Sequence, residues 1–420
     1  MEKYVIKPGN QIKGSVKISG SKNASLPILA CTILAEGAYK FDNIPNLLDI
    51  KTMLMLLEEL GLTCEQNNNT VIINNKGSDD VTVSYELVKK MRASILVLAP
   101  LLAKKGRAKV SFPGGCAIGE RPIDQHIKAL RAMGANIEIQ HGYIIADCKK
   151  LKGAEIFFDV NTVTGTENII MAAVMAHGRT VINNAAQEPE VIDLCNFLKK
   201  MGAQISGIGT KTLIISGVNN LKSTDYSVIN DRIEAGTFLC VLGACKGELI
   251  IENAPINYMK TSIEKLIEAG ITINIINNHS LNAKVDCELK SADITTQPYP
   301  GFPTDMQAQF MALMTKAKGV SVITEGIFEN RFMHVAELKR MGADIVLKNK
   351  SAIVKGVENL SGADVSATDL RAGAGLVIAA LQSKGESRVH NIEYIDRGYE
   401  AFEKKLNGIG VNIDRVNDDE

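Results

Sequence analysis

The chain predicts an α/β architecture written six times, with helices buried inside and sheets lying outside them. Glycines supply the first sign. Gly61, Gly134, Gly202, Gly270, Gly342 and Gly410 recur at intervals of 73, 68, 68, 72 and 68 residues, three of them in the related phrases MGANIEI, MGAQISG and MGADIVL. Gly37, Gly106, Gly178, Gly247, Gly319 and Gly385 keep the same beat, so every unit has an opening and a closing glycine. This period is longer than that of ordinary solenoid repeats. The second sign is that each unit holds two kinds of helix. The third is a hairpin after each closing glycine.

Within a unit, the segment ending at the opening glycine is apolar nearly all round. ILACTILAEG before Gly37, NIIMAAVMAHG before Gly178 and GAGLVIAALQSKG before Gly385 read as buried helices. The segment ending at the closing glycine, as in DQHIKALRAM and VIDLCNFLKKM, has one polar face and belongs nearer solvent. Hairpins such as ADIVLKNKSAIVKG alternate as half-exposed antiparallel sheet does. Pro100 interrupts one apolar segment and is expected to kink it. Six such units exceed one comfortable core, which predicts two halves of three, a break near Asn230 and a ligand cleft between the halves.

Composition narrows the function. With 420 residues, formal charge zero and 45 % apolar content, the chain reads as a soluble protein with no global charge for nucleic acid. The first residues, MEKYVIKPGN, lack a signal-peptide core, and ASILVLAPLLA (93–103) is too short to span a bilayer. Eight scattered cysteines with no CxxC pair indicate reduced thiols of a cytosolic protein, mostly core filler. The six histidines form no HxH or HExxH pattern, so no protein-held metal and no cofactor is expected. GIGTKTLIISG at Gly207 lacks the third glycine of a dinucleotide fingerprint, and no GxxxxGK[ST] or GxSxG occurs.

Two features stand out as chemistry. Cys116 lies in FPGGCAIGERPID, where a Gly-Gly pair gives a compliant, close-approach backbone and Arg121 is placed to lower the thiol pKa if the loop folds back. The second feature is charge at the helix starts. Lys22, Arg92, Thr164, Arg232, Asp305 and Arg371 open the buried helices; Asp49, Arg121, Glu190, Met259, Arg331 and Arg397 stand near the starts of the amphipathic ones. Cations are locally misplaced at helix N-termini unless an anion binds there. Taken singly, each basic residue also fits a solvated surface charge, and Asp49, Asp305 and Asp369 fit N-caps. Repetition over six units favours bound anions.

The segments KNAS at Lys22, PGGCAIGERPID at Pro113, FPTDMQAQF at Phe302, FENRFMH at Phe328, ATDLRAG at Ala367 and YIDRGYE at Tyr394 resemble the UDP-N-acetylglucosamine 1-carboxyvinyltransferase family of the EPSP synthase superfamily. The resemblance covers essentially the whole chain. It implies two inside-out α/β barrels, each of three βαβαββ-type repeats. One domain then spans 22–229 with the Cys116 loop, the other 1–21 plus 230–420, and the active site lies in the cleft. The implied reaction moves enolpyruvate from phosphoenolpyruvate to the 3-hydroxyl of UDP-N-acetylglucosamine, in the cytoplasm, as the first committed step of peptidoglycan precursor synthesis.

By the same resemblance, Cys116 protonates C3 of phosphoenolpyruvate and is the residue that fosfomycin alkylates, while Asp305 takes the sugar hydroxyl proton. Lys22, Asn23, Arg121, Arg331, Arg371 and Arg397 bind phosphoenolpyruvate, with Lys22 and Arg397 also counted as catalytic. Arg92, Arg121, Pro122, Ile123, Asp124, Gln125, Val160, Asn161, Thr162, Val163, Asp305 and Ile327 contact the nucleotide sugar. Asp49 and Asp369 play supporting parts. The partners expected are these two small molecules, with no nucleic acid and no membrane. Three rivals share the fold or its cleft. They are 3-phosphoshikimate 1-carboxyvinyltransferase, which lacks this cysteine loop; the RNA 3′-terminal phosphate cyclases, which need a catalytic histidine; and a non-catalytic metabolite sensor, against which the pair Cys116 and Asp305 argues.

Overall fold

The computed structural model of the chain describes residues 2–9, 11–112 and 123–417. They form two compact units. One holds the described residues between Gly20 and Ile229, and the other holds those up to Ser19 together with those from Asn230 onward. Each unit has its own apolar core.

In the first unit the inner helices are Lys22–Ala30, Leu98–Lys105 and Val163–Ala173, and the outer ones are Leu48–Glu59, Asp124–Ala132 and Pro189–Lys200. In the second unit the inner helices are Arg232–Cys245, Gln307–Met314 and Leu370–Gln382, which pack on one another. All eight residues of Gln307–Met314 are buried, whereas Lys260–Glu268, an outer helix, buries only Ser262, Ile263 and Leu266. A fully buried leucine or isoleucine contributes about 1.5–3 kcal/mol, so the inner helices carry much of each core. Each unit is therefore an inside-out barrel.

One sheet pattern recurs six times. The strand before an inner helix lies parallel to the strand that follows the opening glycine, and the closing hairpin adds two antiparallel strands. Thr82–Val83, Arg107–Ser111, Tyr143–Asp147 and Asn136–Gln140, in spatial order, are one example. Three sheets borrow strands from distant sequence. Tyr226–Ser227 closes the sheet of Gly37–Asp42, pairing Tyr226 with Phe41. Ile12–Lys17 lies parallel to Gly247–Glu252, and Glu2–Lys7 lies between Ser387–His390 and Asn412–Asn417. These pairings sew the N-terminal segment into the unit formed by the C-terminal half.

All twelve repeat glycines have positive φ. The requirement differs by position. At Gly134 (φ +93°) a Cβ would meet nothing within 4 Å, so only the backbone angle calls for glycine. At Gly247 (φ +109°) a Cβ would lie 2.1 Å from the Ile12 carbonyl oxygen, so the parallel strand pairing calls for it as well. The kink expected at Pro100 takes a specific form. The segment begins as a 3₁₀ turn, Arg92–Val97, and the α-helix starts only at Leu98. Pro100 thus sits in the first helical turn, where its missing N–H is not needed.

Candidate active site

In the first unit, Ser21 caps the helix Lys22–Ala30, its side chain accepting from Ala24 N. The cap sets Lys22 at the first helical position, almost buried, with Nζ 3.3 Å from Asp49 Oδ2. Asn23 follows, half-buried, and Pro27 leaves the Asn23 carbonyl without the bond a residue four positions on normally supplies. The capping reading of Asp49 is corrected here. The N-cap of Leu48–Glu59 is Leu47, with no side-chain cap bond, and Asp49, buried in the first turn, is the counter-ion of Lys22.

Gln125 draws two expected contact segments together. Its Nε2 donates to Asp159 Oδ2 (3.2 Å) and its Oε1 accepts from Asp159 N (3.0 Å), so Asp124 and Gln125 stand beside residues 160–163. Lys128 also holds Asp159, at 2.6 Å. Within 160–163, Val160 is exposed, Asn161 Nδ2 reaches the Ala185 carbonyl (3.4 Å), and Thr162 caps the helix Val163–Ala173 by accepting from Gly165 N. Ile123 is buried just before the helix Asp124–Ala132. Arg92 opens its 3₁₀ turn, half-buried.

Behind Arg92 lies a buried polar stitch. Asn168 accepts from Ala99 N (3.2 Å) and donates to the Ile95 carbonyl (2.9 Å), fastening the 3₁₀-to-α junction to the neighbouring inner helix. Its amide also lies 2.9 Å from His126 Nδ1, which places the ring hydrogen on Nε2, towards Thr164 Oγ1 (3.4 Å). Burial pushes the His126 pKa down to about 4, against a smaller opposing pull from Asp124, so the ring is neutral near pH 7.

In the second unit, Asp305 sits in the 3₁₀ turn Thr304–Met306 that leads into an inner helix. Arg331 Nη2 reaches its Oδ1 and Arg371 Nη2 its Oδ2, both at 2.9 Å. The arginine side chains are 4 % and 3 % exposed against 25 % for Asp305, so the carboxylate is the reachable member of the trio. Burial opposes the Arg371 charge, but Asp305 and Tyr399 more than offset this and hold its pKa above the ordinary value. Arg331 also lies under the Phe328 ring, 5.2 Å from its centroid.

Asp369 is the N-cap of Leu370–Gln382, accepting from Arg371 N (2.8 Å) and Ala372 N (3.0 Å). The cap fixes the backbone from which Arg371 projects. Arg397, half-buried, ends the 3₁₀ turn Ile392–Arg397. That turn is anchored by Arg415, whose Nη1 and Nη2 hold the two Asp396 oxygens at 3.0 and 2.7 Å. Ile327, half-buried, gives its N–H to Glu325 Oε1 at 2.9 Å.

Two groups went unread in the sequence. Glu325, almost fully buried, accepts from Thr296 Oγ1, Thr304 Oγ1 and the N–H groups of Ile327 and Phe328 at 2.7–3.2 Å. It buckles the turn carrying Asp305 to the loop carrying Ile327. The other is the hydroxyl of Tyr399, which meets Arg371 Nη1, Gln309 Nε2 and Thr237 Oγ1. Their only sequence signal was position, Glu325 lying just before FENRFMH and Tyr399 inside YIDRGYE.

Cys116, Arg121 and Pro122 lie outside the described residues. Of the seven described cysteines, burial pushes Cys64, Cys195 and Cys245 up to about 12, and Cys31 and Cys240 are wholly buried, as core thiols are. Cys287 differs from the core-filler expectation because it is exposed. Among the described residues no group of three His, Cys, Asp or Glu side chains is arranged to hold a metal. No described helix is long and apolar enough to cross a membrane.

Comparison with known proteins places this geometry in a family. The family model described as EPSP synthase (3-phosphoshikimate 1-carboxyvinyltransferase) matches residues 6–406. The chain is 52 % identical to UDP-N-acetylglucosamine 1-carboxyvinyltransferase 2 of Carboxydothermus hydrogenoformans, covering 100 % of both chains. It is also 52 % identical to the UDP-N-acetylglucosamine 1-carboxyvinyltransferase of Geotalea uraniireducens, covering 99 % of this chain and 100 % of the relative. Among solved structures, the enolpyruvyl transferase NikO from Streptomyces tendae superposes with a TM-score of 0.90 at 21 % identity, covering 99 % of each chain. EPSP synthase from Acinetobacter baumannii superposes at 0.78 and 21 %, covering 99 % of this chain and 100 % of that one. These two establish the fold, the inverse α/β barrel of enolpyruvyl transferases. The chain belongs to the EPSP synthase family and, within it, to the UDP-N-acetylglucosamine 1-carboxyvinyltransferases.

Proposed function

We propose that the protein transfers the enolpyruvyl group of phosphoenolpyruvate to the 3-hydroxyl of UDP-N-acetylglucosamine and releases phosphate, the first committed step of peptidoglycan precursor synthesis, in the cytoplasm. The observation that carries this reading is the full-length likeness to relatives named for that transfer. The reachable carboxylate of Asp305, held by two buried arginines, supports the base it requires.

In the addition step the sugar 3-hydroxyl gives its proton to Asp305 and its oxygen bonds to C2 of phosphoenolpyruvate. The C2=C3 electron pair takes a proton from the Cys116 thiol, making C3 a methyl group. In the elimination step C3 returns a proton to the Cys116 thiolate, the double bond re-forms, and the C2–O bond to phosphate breaks. The phosphate leaves with the proton that Asp305 had taken. Two guanidinium groups favour the ionised form of Asp305, so alignment at the hydroxyl is what this group contributes, more than basicity. Lys22, Asn23, Arg121, Arg331, Arg371 and Arg397 serve the anionic substrate. Arg92, residues 121–125 and 160–163, Asp305 and Ile327 serve the nucleotide sugar. Asp49 pairs with Lys22 as its counter-ion, and Asp369 holds the start of the Arg371 helix.

Mass spectrometry of the product tests the reading. An enolpyruvyl ether of the nucleotide sugar, formed with one phosphate per transfer, is expected. Recovery of both substrates unchanged contradicts it.

A further inference from the structure

We infer that Tyr399 is a positioning residue for this reaction, acting through Arg371 to hold the Asp305 carboxylate in place. This rests on the function proposed above.

The hydrogens around Tyr399 can be assigned one by one. Thr237 donates its hydroxyl to the Ile233 carbonyl at 2.8 Å, so its oxygen is left to accept. Gln309 Nε2 lies 2.8 Å from the Asp305 carbonyl, which only accepts, so the nitrogen end of that amide faces this cluster. The same nitrogen lies 3.0 Å from the Tyr399 hydroxyl and 3.2 Å from Thr237 Oγ1. Arg371 Nη1, which can only donate, is 3.3 Å from the Tyr399 oxygen. With two donors arriving at that oxygen, its own proton goes to Thr237 Oγ1, 2.9 Å away. No other acceptor is within reach of it among these groups. The Tyr399 oxygen therefore turns its lone pairs towards Gln309 and Arg371.

The consequence is a support on both sides of Asp305. Gln309 holds its backbone carbonyl, and Arg371 holds Oδ2 with Nη2 while Tyr399 holds Nη1 of the same guanidinium. Tyr399, Thr237, Gln309 and Arg371 are all at most 2 % exposed, so no solvent competes for these bonds. The ring is locked as well, tilted against Phe402 at 4.8 Å between centroids, with Arg371 5.6 Å from its own centroid. Ring packing fixes where the hydroxyl is, and the hydroxyl fixes the Arg371 fork. A base that works by alignment needs such a support more than one that works by basicity.

Tyr399→Phe tests this, because it keeps the ring and its contacts and removes only the hydroxyl. Wild type is first shown to release phosphate with UDP-N-acetylglucosamine; failure at that stage sinks the proposed function itself, and not this inference alone. With wild type active, the variant is expected to lose about tenfold in kcat, the scale of one hydrogen bond lost at the transition state, while KM for the nucleotide sugar changes less than about threefold. In an Arg371→Lys background the same substitution should change kcat by less than about twofold, because the route through the guanidinium is already gone. An unchanged kcat overturns the inference. So does an equal loss in both backgrounds, which would mean that the hydroxyl acts elsewhere. If Tyr399→Phe does not fold, as read by its melting curve, Thr237→Val removes the hydroxyl's acceptor with little change of shape. That variant must then lower kcat in the wild-type background and not in the Arg371→Lys background for the inference to stand.

Discussion

At Asp305 one reachable carboxylate meets two buried guanidiniums, and the partners lie 26 and 66 residues away in sequence. Asp305→Asn keeps the size of the side chain and removes its capacity to take a proton. Its kcat is expected to fall by about 10²–10⁴, the usual worth of a general base, while calorimetry still detects nucleotide-sugar binding. A loss below tenfold would move the base elsewhere. Cys116 allows a second test at this scale. Cys116→Asp retains an acid but no nucleophilic sulfur, so it is expected to keep part of the activity and to escape alkylation by fosfomycin, read by intact-protein mass spectrometry. Alkylation of that variant would place the reactive thiol at another cysteine. Asp49 shows how an isolated residue misleads: it has the right composition for a cap, yet Leu47 occupies the cap position and Asp49 pairs with Lys22.

The elements were legible because the repeat glycines mark a backbone requirement and the two helix classes differ in how much they bury. A periodic pattern reports such things directly, as Gln307–Met314 and Lys260–Glu268 illustrate. Spatial partners are another matter. That Glu325 would gather Thr296, Thr304 and two loop N–H groups depends on which strand ends meet, and no local pattern encodes it. Tyr399 and Gln309 lay inside quoted segments, but a neutral hydroxyl and amide carry no charge pattern to mark them. No local pattern pairs the N-terminal strands either, since they join residues over two hundred positions apart, such as Ile12 and Gly247; only the family resemblance groups 1–21 with 230–420. The two glycine situations give a prediction for elements. Gly134→Ala is expected to destabilise by about 1–2 kcal/mol, the left-handed backbone term alone. Gly247→Ala should lose clearly more, because its Cβ would press on the Ile12 carbonyl. Urea melts of the two variants check the order, and equal losses would remove the strand-pairing argument.

On the scale of the molecule, each unit buries a neutral histidine. Burial pushes both His126 and His334 down to about 4; Asp369 pulls His334 up and Arg331 pushes it further down. An unfolded histidine binds its proton near pH 6.5. Stability from each is therefore whole above that pH and is lost as pH falls from about 6.5 to 4, because the unfolded chain is protonated first. Asp193, raised to about 6 chiefly by burial, runs the other way and loses stability as pH rises from about 4 to 6. Buried Glu167 and Glu234 are raised as well and run the same way as Asp193, so the histidine contribution is read from its own substitution and not from the net profile. In His126→Gln the loss over that window should shrink by roughly 3 kcal/mol, measured by denaturant melts at a series of pH values. An unaltered pH profile would mean that the ring is not held neutral.

The most direct measurement follows phosphate release from phosphoenolpyruvate with UDP-N-acetylglucosamine or shikimate 3-phosphate as the acceptor, in parallel. Release with the nucleotide sugar alone is the expected result. Release with shikimate 3-phosphate alone would leave the fold intact and contradict the proposed acceptor, and binding without release from either would leave a ligand-holding protein with no transfer to explain.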